Sequence, residues 1–346
     1  MMKGLSPFFF ITILCVSCNQ QNNYPIVSTL AGTGSMGAVN GKASEASFSN
    51  MMGLAVDSQG NIFVADSRNN MIRKISSDGI VTTVAGNGRA GSLDGRGDSA
   101  SFFYPQGIAV DKNGNLYIAD THNSLIRKIN PQGYVTTLAG QRIYHTIPVK
   151  DSITRFDNPS GIAVDDSGYV YVADCFNNLI RKISPDGKVY NIAGNINHGT
   201  KDGTGSSASF YLPAGIALDS VGNMYVSDSY NNLIRKVSQS GVVTTIAGNK
   251  LRGSLNGKGS VATFSHPSGI TVDTKGSIYV ADVGNNKIRI ITPDGLVSSY
   301  AGSGLRGSVN GRDTTASFYR PYGVVADKSG NIYVADYLNN MIRKIK

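Results

Sequence analysis

A single phrase recurs six times in this chain at a constant spacing of 54 residues. The Asp that closes it falls at Asp66, Asp120, Asp174, Asp228, Asp282 and Asp336, with no slippage between copies. A fixed period of this size means one supersecondary unit stacked on copies of itself. Within one unit, the stretch from Gly107 to Val110 is short, apolar and β-rich, and Lys112-Asn113-Gly114 is a turn. Leu116 to Ala119 is a second strand, Leu125 to Ile129 a third, and Tyr134 to Ala139 a fourth. The strands are apolar on both faces, as expected where each small sheet is sandwiched between neighbours. Four short antiparallel strands with turn signals between them make a propeller blade. The period therefore predicts an all-β, closed six-bladed β-propeller.

The chain ends agree with a ring. Tyr24 to Ala31 reads as a fourth strand and Met341 to Ile345 as a third, so the N-terminal strand can complete the last blade. Residues 23–346 number 324, six times 54. Closure of this kind removes the open edges that a linear array exposes.

The recurring runs A-V-D-x-x-G-N, V-A-D-x-x-N-N and I-R-K-I resemble the NHL repeat family along the whole of residues 23–346. That resemblance implies a six-bladed β-propeller. It leaves function open, because the family includes lyases, RNA-binding modules and protein-interaction modules, and related six-bladed folds include lactonases and metal-dependent hydrolases.

Residues 1–17 read as an export signal: Lys3, then an apolar run from Phe8 to Leu14, then small residues. The run is too short to span a bilayer as a stable helix. Leu14 to Cys18 resembles a lipobox, with Cys18 as the lipidated residue and 18–22 as a short linker; an ordinary secretory signal cut nearby is the alternative. Cys15 leaves with the signal and Cys18 takes lipid, so Cys175 alone remains and an intrachain disulfide is excluded. The expected setting is a bacterial envelope membrane, reached through the lipid anchor only.

The formal charge of +9 is largely periodic. Arg73, Arg127, Arg181, Arg235, Arg289 and Arg343 occupy one repeat position, each beside a strand-end Asp, and are expected to form intrablade ion pairs. Net charge thus gives no reason to expect a nucleic-acid partner. Phe48, Phe102, Phe156, Phe210, Phe264 and Phe318 are expected to anchor the crossovers, and the Asp and Asn of V-A-D-x-x-N-N to tie each loop to its own backbone. Calcium is the alternative reading of those oxygens, though without an EF-hand spacing.

Residues repeated in every copy are architecture; departures are where function is sought. The turns on one face are minimal, whereas the crossovers between blades run to about twenty residues, beyond ordinary connection lengths. Any site is therefore expected on the crossover face. The residue before each blade's first-strand Pro position is Asn50, Tyr104, Asn158, Leu212, His266 or Arg320. The residue after it is Met52, Gln106, Ser160, Ala214, Ser268 or Tyr322. These are expected at the mouth of the central channel and hold no carboxylate. The crossover at 141–155 loses the glycines of the others and gains Tyr144, His145, Lys150, Asp151 and Arg155. Tyr104, Gln106, Tyr144, His145, Asn158, His266, Arg320 and Tyr322 are thus the candidate ligand-binding residues. His122, His145 and His198 are weaker candidates for a zinc site or a general base, because no HxH or HxxxH spacing accompanies them.

No Ser-His-Asp order or paired carboxylate stands out, so no catalytic residue is assigned and no cofactor is expected. The expectation is a monomeric, envelope-anchored binding module for a protein or a small polar ligand, with a glycan among the options through Tyr104, Tyr144 and Tyr322. The alternative is a propeller hydrolase, lactonase or lyase with its site at the pore mouth.

Overall fold

The computed structural model describes residues 24–141 and 155–346, and over them the chain is the closed six-bladed propeller that its period predicts. Blade two is typical. Its inner strand Ile108–Val110 pairs with Leu116–Asp120, which pairs with Leu125–Ile129, which pairs with Tyr134–Gly140, all antiparallel. Ile26–Ala31 pairs with Met341–Ile345, so the N-terminal strand completes blade six. Each crossover outside the 141–155 region adds a two-residue strand that the sequence reading does not contain. Gly95–Arg96, for example, pairs with Tyr134 and Val135 and makes blade two five-stranded.

The core lies between blades. Ala55, Phe63, Ala65 and Ile72 of blade one pack with Phe102, Ile108, Leu116 and Ile118 of blade two. The seam that closes the ring is built the same way, with Tyr333, Ala335 and Ile342 of blade six against Phe48, Leu54, Ile62 and Val64 of blade one. Glycine fixes how close the inner strands come. A Cβ on Gly107 would stand 2.1 Å from the carbonyl oxygen of Ser160 in the next blade, and one on Gly323 would stand 2.1 Å from that of Met52 across the closing seam. Both distances are far inside van der Waals contact, so only glycine fits there.

The periodic Asp and Arg form a buried pair in every blade, with an Nη1 to Oδ2 distance of 2.7–2.9 Å. Each guanidinium lies 4.7–5.4 Å from the ring centre of its blade's buried Phe. Both expectations for these residues hold. The loop Asp, however, does not tie its loop to its own backbone. Asp120 Oδ1 accepts from the backbone N–H of Phe103, 17 residues earlier in the crossover, while Oδ2 accepts from Asn123 and Arg127. The local Asx turn belongs to a different Asp: Asp111 Oδ1 accepts from the N–H groups of Asn113 and Asn115 in the tight turn. The strand-end Asp thus clamps the crossover onto the blade. This correction follows from burial, since a carboxylate removed from water needs several donors and its own loop supplies too few.

Candidate functional site: the channel mouth on the crossover face

The second Asn of V-A-D-x-x-N-N sets up the mouth. Asn70 Oδ1 accepts the backbone N–H of Tyr104 in the next blade at 2.8 Å. Asn232 does the same for His266, Asn286 for Arg320, Asn178 for Leu212, and Asn340 for Asn50 across the closing seam. The residues so held adopt a left-handed backbone, with φ of 48–53° for all six members of this ring, Asn158 included. For side chains such as Tyr, Leu and Arg that conformation costs on the order of 1 kcal/mol each. Strain repeated in every blade, and held in five of the six by a strut from the neighbouring blade, fixes the direction of side chains that differ between copies.

The mouth has two tiers. Met52, Gln106, Ser160, Ala214, Ser268 and Tyr322 line the narrow inner tier, a cavity of about 70 Å³ at the end of the channel. Ser160 Oγ donates to Gln106 Oε1 at 3.1 Å. Burial pushes the Tyr322 hydroxyl up to about 12 against a hydrogen bond to Ser268, so it remains a neutral donor. Cys175 borders this tier closely enough to act on Tyr322 electrostatically. Its thiol is pushed up to about 12 by burial and by the charges of Asp174 and Asp157, so at neutral pH it is no thiolate nucleophile.

The outer tier carries aromatic rings in two walls. One joins blades six and two. Tyr322 packs on Tyr337 with ring centres 5.9 Å apart, the Tyr337 and Tyr104 hydroxyls lie 3.2 Å apart, and Tyr104 stacks on His122 at 4.8 Å with an interplanar angle of 11°. The second wall runs through blades four and five: His198 stacks on Tyr211 at 4.4 Å, Tyr211 meets Tyr230 at 5.1 Å, and Tyr230 meets His266 at 5.3 Å. Arg68, Arg252 and Arg320 are exposed beside these walls, and none of them has a carboxylate within 4.0 Å among the described residues. Burial lowers both His122 and His266 from the ordinary histidine range, and for His266 the charges of Arg252 and Arg320 act in the same direction.

The structure therefore brings together Tyr104, Gln106, His266, Arg320 and Tyr322 at one end of the channel. Asn158 stands in the same ring, with its amide donating to Asp157 Oδ1 at 3.1 Å. Tyr144, His145, Lys150 and Asp151 lie outside the described residues, as do Cys18 and the rest of the N-terminal segment. His122 and His198 belong to different walls and each faces a tyrosine. No group of three or more His, Cys, Asp or Glu able to hold a metal occurs among the described residues. Tyr337, Tyr230, Tyr211, Arg68 and Arg252 are mouth residues that the sequence reading missed. A signal for three of them was present: the two x positions of V-A-D-x-x-N-N vary between copies as Ser67-Arg68, Thr121-His122, Cys175-Phe176, Ser229-Tyr230, Val283-Gly284 and Tyr337-Leu338.

Comparison with known proteins follows the same lines. The profile of the Teneurin NHL domain matches residues 28–94 and 87–152, and that of the NHL repeat matches 156–183 and 264–291. The chain belongs to the NHL-repeat family. NHL repeat-containing protein 2 of Gallus gallus is 30% identical to this NHL propeller over 331 residues, covering 84% of the chain and 45% of that protein. The propeller thus spans less than half the length of this relative. Among solved structures, an auxiliary nutrient binding protein from Bacteroides thetaiotaomicron superposes with a TM-score of 0.70 at 18% identity, covering 93% of this chain and 76% of that one. Virginiamycin B lyase from Staphylococcus aureus superposes with a TM-score of 0.54 at 18% identity, covering 92% and 88%. At these identities the likeness is one of fold, and that fold serves a nutrient-binding protein as well as an enzyme. No helix among the described residues is long and apolar enough to cross a membrane.

Proposed function

We propose that this propeller is a monomeric binding module, with no chemical step of its own, that takes a polar ligand or a protein segment at the channel mouth of its crossover face. One observation carries the reading. Positions that differ from copy to copy in an otherwise uniform repeat gather at one end of the channel and touch one another: Tyr104, Tyr322 and Tyr337 on one side, His266 beside Arg320 on another. Uniform positions build the ring, so diversity confined to a concave mouth has the form of a recognition site. The fold shared with an auxiliary nutrient binding protein is consistent with uptake of a small solute.

We place the protein on a bacterial envelope membrane, on the periplasmic side or the cell surface, held by lipid at Cys18. The outer strand of blade six begins at Ile26 beside Lys346, on the tight-turn face. The seven residues between Cys18 and Ile26 reach at most about 25 Å. Such a tether keeps the tight-turn face toward the membrane and presents the mouth to solvent. Labelling of cells with a radioactive fatty acid tests this; label retained in a Cys18→Ala variant would refute it.

Calorimetric titration against polar solutes, oligosaccharides and peptides tests the binding reading, with Tyr104→Ala and Tyr322→Ala as controls. Binding that weakens in both variants, with the ligand recovered unchanged, is the expected outcome. Turnover that disappears when mouth residues are changed would instead establish a propeller hydrolase, lactonase or lyase.

A further inference from the structure

We propose that the ligand of this mouth is an acidic saccharide, one whose sugar rings carry carboxylates; the proposal rests on the binding reading above and narrows it. Three observations converge. First, the outer tier offers several tyrosine and histidine rings, some near-parallel and some inclined: Tyr104 and His122 meet at 11° and His198 and Tyr211 at 23°, but Tyr211 and Tyr230 at 56° and Tyr230 and His266 at 72°. The inclined rings of the second wall suit the C–H surfaces of linked, non-coplanar sugar rings, whereas a run of stacked flat bases calls for successive parallel platforms.

Second, the rim carries guanidinium groups without an acidic partner, although Arg68 donates to Asn50 Oδ1 at 3.5 Å. Six arginines elsewhere are buried against Asp, and two of those, Arg127 and Arg235, hold a second carboxylate from Asp94 or Asp202; exposed Arg89, Arg96, Arg306 and Arg312 have no carboxylate within 4.0 Å among the described residues. Arg68, Arg252 and Arg320 have no such partner among the described residues and stand at the rim of the mouth. Arg320 belongs to the same ring of left-handed residues as His266 and is two residues from Tyr322, within electrostatic range of both. A guanidinium free of any internal acid is matched by a planar carboxylate, which it binds through two parallel N–H bonds.

Third, the remaining mouth groups are neutral hydrogen-bonding side chains suited to hydroxyls. Gln106, Ser160 and Ser268 line the inner tier, and Asn158 stands in the outer ring. Charge-bearing, hydroxyl-bearing and ring-bearing recognition thus occur together, and an acidic sugar uses all three.

The test uses the full chain and three probes: a short oligogalacturonate, the same oligomer fully methyl-esterified, and a short single-stranded oligoribonucleotide. Titration calorimetry is run on the parent protein and on Arg252→Gln, Arg320→Gln and Arg320→Lys, with melting temperature as the check that each variant is folded. The expected result is binding of the oligogalacturonate that weakens with added salt. Arg320→Gln weakens it by on the order of tenfold or more, Arg252→Gln by a smaller factor, and Arg320→Lys restores only part of the loss. The esterified probe binds on the order of tenfold more weakly or not at all. Equal binding of the two oligosaccharides, sensitive to Tyr104→Ala but not to Arg320→Gln, would overturn the acidic-sugar assignment and leave the mouth as a binding site. Binding of the oligoribonucleotide alone would overturn the assignment as well. Binding of the acidic probe that is indifferent to every mouth variant would overturn both the assignment and the site.

Discussion

Replacing Arg127 by Leu interrogates the clamp that holds crossover, blade and mouth together. The guanidinium is fully buried. Its Nη1 donates to Asp120 Oδ2 at 2.8 Å and to the Ser101 carbonyl at 3.1 Å, and its Nη2 to the Leu93 carbonyl at 2.9 Å. Leucine keeps the apolar stem but leaves Asp120 as a buried charge without a counterion and the Ser101 carbonyl without its donor, while the Leu93 carbonyl keeps the Ser101 N–H. Breaking a buried pair from one side costs about 4 kcal/mol. With unfolding entropy near 2 cal/mol/K per residue, a chain of this length should melt roughly 6 °C lower at neutral pH. The loss carries a pH signature. Burial already pushes Asp120 up to about 6, and removal of its cation raises it further. A carboxyl that titrates higher in the folded than in the unfolded state stabilises the fold as pH falls through the folded value. The deficit of Arg127→Leu relative to the parent should therefore shrink between about pH 8 and about pH 5. Urea unfolding followed by circular dichroism at several pH values measures it. A deficit below about 1 kcal/mol, or one flat across that range, would show that the pair is not the buried clamp described above.

Two further predictions concern closure and titration. Gly107→Ala and Gly323→Ala should each cost about 2 kcal/mol by overpacking, and by the same amount, because one lies inside the ring and the other at its closing seam; an innocuous Gly323→Ala, measured by thermal melting, would mean that the ring opens there. His266 is held below the ordinary histidine range, so it binds a proton less readily in the fold than in the unfolded chain, which takes one as pH drops through about 6.5. The parent should lose more stability than His266→Gln between about pH 7.5 and about pH 5.5; the raised carboxyls act in the opposite sense but equally in both proteins, and no difference in slope would contradict the assignment.

The ring was legible because its cause is periodic. A spacing that never slips, Phe at one position and an Asp–Arg couple at another leave few alternatives to a stack of blades, and the fourth-strand character of Ile26–Ala31 announces closure. The two-residue strands such as Gly41–Lys42 were hidden because a glycine-led pair in a crossover carries no alternation of apolar and polar residues. At the mouth, comparison of copies picked out Tyr104, Gln106, His266, Arg320 and Tyr322. It missed Tyr337, Tyr230 and Arg68, because they sit inside a motif whose constant Asp and Asn residues drew attention to architecture. Nor could spacing reveal that His122 and His198 each stack on a tyrosine, since both contacts are made across the fold of the crossover loops. Strength of repetition thus works against itself near the site: the more regular the frame, the easier it is to read a variable residue within it as frame.

The most direct test is a crystal structure of the protein soaked with the tightest-binding saccharide. Ligand density at the channel mouth, with a sugar ring against the Tyr104 or Tyr230 wall and a carboxylate on Arg320, is the predicted result. Well-ordered ligand on the tight-turn face or in a cleft between blades, with the mouth empty, would contradict it.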